Sequence, residues 1–366
     1  MKVILYVVLV FHALFHLLGF LKAYKLAPLA EISVSISKIS GIVWLIASCL
    51  FVATIALMIF NINAWVYLAF LSIMLSQYLI ITTWHDSKYG TIINVILLVF
   101  LILSWCKIKF EDKYKVEVHE QLAKVQAGDT AILKDIDLVK LPERVQKYLV
   151  YTGALNKPKV HNFRIRFSGN IRKNNDAPWM PFTSEQFNFL PTSVRLFFMK
   201  AEMKKLPIAG FHSFKNGAAF MDIRLLSLFT VQYESGQDMG IAETVTFFND
   251  MCCMAPATLI DERIQWAGIN GDSVFAKFIN NNIEINATLV FNNKNELVNF
   301  ISDDRYTITE SGSMKKIRWS TPLKNYQVFN GCKLASSAET IYSYPDKDLI
   351  YGTFQLKSIE YNVTSN

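Results

Sequence analysis

Residues 160–173 read VHNFRIRFSGNIRK, with Phe163, Ile165 and Phe167 on one side of the alternation and Arg164 and Arg166 on the other. A period of two belongs to a strand with one buried face, so this stretch makes the C-terminal part of the chain a sheet. The segments 180–190 (MPFTSEQFNFL) and 193–204 (SVRLFFMKAEMK) continue the pattern across Pro191. So do 273–279, 283–291, 296–308, 315–320, 326–342 and 351–363, joined by short turns such as Phe291–Glu296. An extended antiparallel sheet follows. One stretch breaks the period. Residues 240–254 (GIAETVTFFNDMCCM) suit a helix that Pro256 stops, and its apolar face closes one side of a curved sheet.

Upstream, the period of two is absent. From Val3 to Cys106 almost every residue is apolar, which accounts for the 52% hydrophobic content of the 366-residue chain. Val3–Leu21, Ile42–Phe60, Ala64–Thr83 and Thr91–Cys106 approach the roughly 20 apolar residues that a membrane span needs. The first is too long for a signal-peptide core and more spans follow it, so no cleavage is expected. The turns at Asn61–Asn63 and Asp86–Gly90 are short enough for antiparallel hairpins. The expected fold is a four-span α-helical membrane bundle, 1–106, and a basic juxtamembrane linker, 107–140. An α+β domain, 141–366, follows, its curved, half-barrel-like antiparallel sheet covered by one or two helices.

The net charge of +7 is dispersed. Lys107, Lys109, Lys113 and Lys115 form a collar suited to anionic lipid, and no basic strip interleaved with aromatics points to nucleic acid. Lys2 joins that collar on the domain's side of the bilayer, against Lys22, Lys25, Lys38 and Lys88 on the other. Five against four leaves both orientations open under the positive-inside rule. The five cysteines offer neither CxxC nor a Cys/His zinc spacing, so reduced thiols are expected, with no metal and no cofactor.

Polar residues inside the spans are functional suspects, because they are costly there. His12 and His16 lie one helical turn apart. By depth along their helices His16, Gln77 and Asn94 converge, with His85 and Asp86 at the same end and Ser72 and Ser76 extending the stripe. Interhelical hydrogen bonding, a proton or small-molecule site, and metal or haem are the alternatives. Haem is disfavoured because His12 and His16 share a helix.

In the second half, Val116–Gln126 reads as a short helix ended by Gly128. Leu141–Thr152 reads as an amphipathic helix with Pro142 in its first turn and Gly153 as its stop. The candidate lining of an apolar cavity is Phe187, Phe189, Phe197, Met203, Phe220, Trp266, Trp319 and Tyr326, although the same residues fill a solid core equally well. Glu243, Asp304 and Arg305 are the candidate polar groups at its mouth. Alternation places Asp303 and Arg305 together, opposite Asp304. No nucleophile elbow, phosphate loop, zincin or kinase signature occurs, and His119, His161 and His212 stand alone, so catalysis is not expected.

LPERVQKYL (141–149), WMPF (179–182), ETVTFFNDMCCMAPATLI (243–260), Asp304-Arg305, WSTP (319–322) and Tyr361-Asn362 resemble, in that order, an uncharacterised family of bacterial membrane-anchored proteins. The likeness runs from Leu141 to the end, and departs at Phe198-Met199-Lys200-Ala201, where the family often carries tryptophan. It implies a β-rich domain that resembles half-barrel lipoprotein carriers, and it brings no catalytic residue. The expectation is therefore a multi-pass protein of the bacterial cytoplasmic membrane that binds or handles a lipid or other apolar molecule. The alternatives are a membrane enzyme or redox partner built on the histidine cluster, and a scaffold or sensor for an unknown protein partner.

Overall fold

A computed structural model describes residues 2–29, 32–125, 131–309 and 312–364. The chain divides into two compact units, Met1–Phe110 and Glu111–Asn366. The first holds α1 (Lys2–Ala23), α2 (Lys38–Ile59), α3 (Trp65–Thr82), the short α4 (Trp84–Ser87) and the start of α5 (Gly90–Leu122). Four of these helices are long and apolar enough to cross a membrane by length and composition. The approach of α1 to α2 depends on glycine, because a Cβ at Gly19 would lie 2.2 Å from the Trp44 ring. The basic segment that opens at Lys107 is no break. α5 runs on to Leu122 as one helix, where the sequence suggests a separate helix from Val116; Gln126 and Gly128 lie outside the described residues. Charged side chains interrupt apolarity without interrupting helical propensity, since Lys and Glu are good helix formers.

The second unit continues with α6 (Asp135–Leu138) and α7 (Glu143–Tyr151), followed by strands β1 (Asn162–Ile171), β2 (Met180–Phe189), β3 (Val194–Met203), β4 (Leu206–Lys215), β5 (Ala218–Leu225) and β6 (Phe229–Ser235). Helix α8 (Gln237–Met254) and a 3-10 turn at Pro256–Ile260 come next. They are followed by β7 (Ile264–Asn270), β8 (Ser273–Asn280), β9 (Ile283–Phe291), β10 (Leu297–Ser302), β11 (Tyr306–Ile308), β12 (Met314–Lys316), β13 (Arg318–Phe329), β14 (Cys332–Ser343) and β15 (Asp348–Tyr361). Among the described residues thirteen strands form one antiparallel sheet in the order β6-β5-β4-β3-β2-β1-β15-β14-β13-β10-β9-β8-β7, which does not close into a barrel. β11 and β12 pair apart from it. The expected strand 296–308 is broken at Asp303–Arg305, where the chain leaves the large sheet. Asp303 and Arg305 therefore do not share a face: Asp303 is exposed beside Arg318, while Arg305 turns in under α8.

Two helices cover opposite faces of β2–β4. On one face the end of α5 packs Tyr114 against Phe198 and Phe211, at ring distances of 5.3 and 5.7 Å. On the other lies α8, buried along nearly its whole length, Cys252 and Cys253 included. Phe247 and Phe248 of α8 meet Phe163, Ile165, Phe278 and Phe300 in the main core. The C-terminal end of α8 is held by two phenols: Tyr148 of α7 donates to Cys252 O (3.0 Å) and Tyr361 of β15 to Met254 O (2.6 Å). Val145, Tyr148 and Leu149, the apolar face of the LPERVQKYL motif, are buried in this core.

Candidate functional site

β2 and β3 alternate, so Gln186 and Asn188 face α8 together with Arg195, Phe197 and Met199. Glu243 and Asp250 stand two turns apart on α8 and therefore on one side of it. Arg195 joins them. Its Nη1 donates to Glu243 Oε2 (2.9 Å), its Nε to Asp250 Oδ2 (2.7 Å) and its Nη2 to Gln186 Oε1 (2.9 Å). Gln186 Nε2 and Asn188 Nδ2 also donate to Asp250 Oδ2, at 2.7 and 3.3 Å. All five side chains are buried. His212 of β4 places Nδ1 3.8 Å from Glu243 Oε1. Burial alone would raise the Glu243 carboxyl, but Arg195, then His212 and Arg305, hold it down to about 2. Asp250 goes the other way: desolvation raises it despite the same arginine. Arg305 is a second, half-buried cation, donating Nη1 to Ala242 O (2.7 Å) and Nε to the Tyr342 hydroxyl (3.1 Å), with Trp319 under its guanidinium at 4.7 Å.

Along β3 away from α8 the same face turns mainly apolar. Phe182, Phe197, Met199, Ala201 and Ile208 form a buried floor. Phe167, Ile171, Met203, Ile223, Leu225 and Phe354 form a half-buried rim. Every member comes from one of six adjacent strands, β15 and β1–β5, and none from a helix. Gly169 makes room for the floor: a Cβ there would lie 1.8 Å from Thr353 O and 3.0 Å from the Phe182 ring. Within the shelf Ser184, paired across the sheet with Phe167 and Met199, buries its Oγ without a hydrogen-bond partner. An apolar shelf thus runs into a desolvated charged network at one end.

Of the cavity-lining candidates, Phe197 and Met203 belong to this shelf. Phe187 and Phe189 stack on each other at 6.0 Å on the opposite face, where Phe220 packs on Phe211 at 5.3 Å. Trp266, Trp319 and Tyr326 pack into the main core. Asp304 lies apart, accepting from Asn286 N and Lys316 at 2.8 Å each. A pocket of about 520 Å³ elsewhere in the unit has a mixed wall, with Lys159, His161, Arg263 and Asn280 beside Val160, Leu190 and Ile260, and none of the predicted aromatics. Arg195 was not singled out from sequence. The signal was present: an arginine on the inward side of an apolar strand, and two acids seven residues apart on the covering helix.

In the first unit four of the six polar candidates meet. His12 Nε2 donates to Asn94 Oδ1 (2.9 Å), Ser76 Oγ donates to the same oxygen (3.0 Å), and His16 Nε2 lies 2.8 Å from Ser76 Oγ. Asn94 Nδ2 donates to Gln77 Oε1 (3.0 Å), and Gln77 Nε2 to Thr91 Oγ1 (3.1 Å). His85 and Asp86 stay apart, bonded to each other at 2.9 Å, with Ser33 Oγ and Val34 N donating to Asp86 at 2.8 Å each. Asn94 is the hub of the buried chain. Replacing it with leucine is expected to destabilise the helices by about 1–2 kcal/mol, two or three interhelical bonds at their usual worth, measured by thermal unfolding of the full chain in detergent. Among the described residues no group of three His, Cys, Asp or Glu could hold a metal ion.

A family model for a family of unknown function (DUF6544) matches residues 131–354. No curated protein matches the chain. Among solved structures it is similar to a domain assigned to outer-membrane lipoprotein sorting from Vibrio parahaemolyticus, 8% identical, TM-score 0.34, covering 61% of this chain and 93% of that one. A DUF1329 family protein from Desulfovibrio piger is 6% identical with TM-score 0.34, covering 61% and 93%. A LolA superfamily protein from Nitrosomonas europaea is 7% identical with TM-score 0.29, covering 60% and 94%.

Proposed function

The chain belongs to the family of unknown function DUF6544, a membership that brings no activity with it, so from the site itself we propose a membrane-tethered module that binds a lipid or other apolar molecule on the shelf of β15 and β1–β5. The observation that carries this reading is the shelf: apolar side chains from six neighbouring strands with no helix among them, beside the part of that face that α8 covers. A ligand laid there removes the half-buried rim from water, at about 2.5 kcal/mol for each 100 Å² of apolar surface. The unpartnered Ser184 hydroxyl favours an amphiphile with a polar group within its reach. The four apolar helices supply the tether in a bacterial cytoplasmic membrane. Hydrogen bonds between helices join the polar chain around Asn94, which favours helix packing over chemistry, although the buried His16 Nδ1 has no partner among the described residues.

The test is photolabelling of the full chain in detergent with a diazirine-bearing fatty acid, adducts being mapped by peptide mass spectrometry. Adducts are expected in β2 and β3, between Phe182 and Met203. Ala201→Trp, which fills the shelf floor, is expected to cut them about tenfold, the equivalent of 1.4 kcal/mol of lost affinity. Labelling confined to residues 2–110, with β2 and β3 unmarked, would sink the reading.

A further inference from the structure

We infer that the shelf opens against a lipid surface, which the β3–β4 and β5–β6 turns and the β1–β2 loop touch directly. These three connections lie at the end of β1–β6 away from the Asn216-Gly217 turn on which α8 rests. They carry the shelf's outermost residues, Ile171, Met203 and Leu225.

Elsewhere in the sheet the two-residue turns are Asn216-Gly217, Asn281-Asn282 and Asn330-Gly331, with positive φ throughout, and Gly271-Asp272, where the glycine alone carries it; these are the residues that such turns prefer. At the shelf end the same left-handed backbone is occupied by Lys204 and Lys205, with φ of 50 and 68°, and by Leu226 and Ser227, with φ of 57 and 56°. A leucine or lysine there is disfavoured on steric grounds, so those side chains are present for something other than the turn. Exposure points the same way. Leu206 is 45% exposed, Leu228 38%, Phe229 59% and Trp179 40%, beside exposed Lys173, Lys204 and Lys205. Apolar tips ringed by lysine, with a tryptophan, match the chemistry of an anionic bilayer interface. The acids among these tips, Asp176 and Glu202, are outnumbered by Arg172 and the three lysines. Glu111, the first residue of this unit, pairs with Lys200 near the tips, whereas Gln121 meets Thr192 at the other end of β3. The chain of this unit therefore begins at its lysine-tipped end. The docking goes beyond the ligand-binding reading and rests on it only for what would pass between shelf and bilayer.

The full chain is reconstituted in vesicles of phosphatidylcholine, with or without phosphatidylglycerol, carrying benzoylphenylalanine at position 206, 229 or 328. Val328 is 70% exposed and apolar but lies on β13, beside the Asn330-Gly331 turn, and is the control. Lipid adducts are expected at 206 and 229, not at 328, with a higher yield when phosphatidylglycerol is present. Lys204→Asn with Lys205→Gly should raise the thermal midpoint by relieving the turn, yet lower the adduct yield at 229 about fivefold or more, since each lysine near an anionic surface is worth about that factor. Equal labelling at 328, or none at 206 and 229, overturns the docking. Fatty-acid labelling of β2 and β3 on the same samples separates the two readings. Shelf labelling without tip adducts removes the docking alone, and tip adducts without shelf labelling remove the ligand-binding reading alone.

Discussion

Arg195→Met is expected to destabilise the second unit by about 3–5 kcal/mol, because it leaves Glu243 and Asp250 buried without the cation that both bind. Urea unfolding of the full chain in detergent, followed by circular dichroism of the sheet, measures it. Replacing the whole set, Arg195→Met with Glu243→Leu and Asp250→Leu, should return most of the loss, because the penalty comes from uncompensated charge more than from lost attraction. The pH dependence identifies the responsible carboxylate. Glu243 is held at about 2 against an ordinary value of 4.5, so its stabilisation is complete above 4.5 and disappears as pH falls towards 2. Asp250, raised by burial, has the opposite sign and gains on acidification. The parent should therefore lose stability between pH 4.5 and 2, and Glu243→Gln should flatten that limb. An unchanged limb would assign the acid sensitivity elsewhere.

Gly240→Ala sets two rules against each other. In a helix interior alanine is favoured over glycine by about 1 kcal/mol, so propensity alone expects α8 to gain. The Cβ would sit 2.2 Å from the carbonyl oxygen of Gly217, a backbone atom that cannot swing aside. We expect contact to win. A net loss of about 2–3 kcal/mol, at the upper end for overpacking, should appear as a lower thermal midpoint. A midpoint that rises would mean that α8 seats elsewhere on the sheet.

The alternation of Phe163, Ile165 and Phe167 with Arg164 and Arg166 was legible because a strand with one buried face writes its geometry directly into residue type. So was α8, whose end Pro256 marks and whose start lies a few residues before the expected Gly240. The continuity of α5 was not legible: a lysine collar looks like a boundary, although nothing in Lys107–Lys115 stops a helix. Residues such as Phe197 and Phe198 conceal a different fact. Adjacent in sequence, they lie on opposite faces, and which aromatics share a surface depends on which helix lies over each face. That information is non-local. Arg195 shows the same limit, since its two acids arrive from a helix some fifty positions away, and only their spacing hinted at a common partner. In the first unit, depth counting brought together His16, Gln77 and Asn94, but it could not see that Asp86 is claimed by Ser33 and Val34 in the α1–α2 connection.

The paired thiols of α8 have a practical consequence. Cys252, Cys253 and Cys332 are buried, while Cys49 is exposed and Cys106 partly so. Burial pushes both α8 thiols well above the usual range, which leaves them almost without thiolate, the reactive form. An alkylating reagent therefore meets a silent class in the sheet unit, separate from Cys49 and Cys106 on the apolar helices. The silent class becomes a clock: alkylation of Cys252 and Cys253 records how often α8 lifts, and that of Cys332 how often β14 opens, both without an engineered reporter.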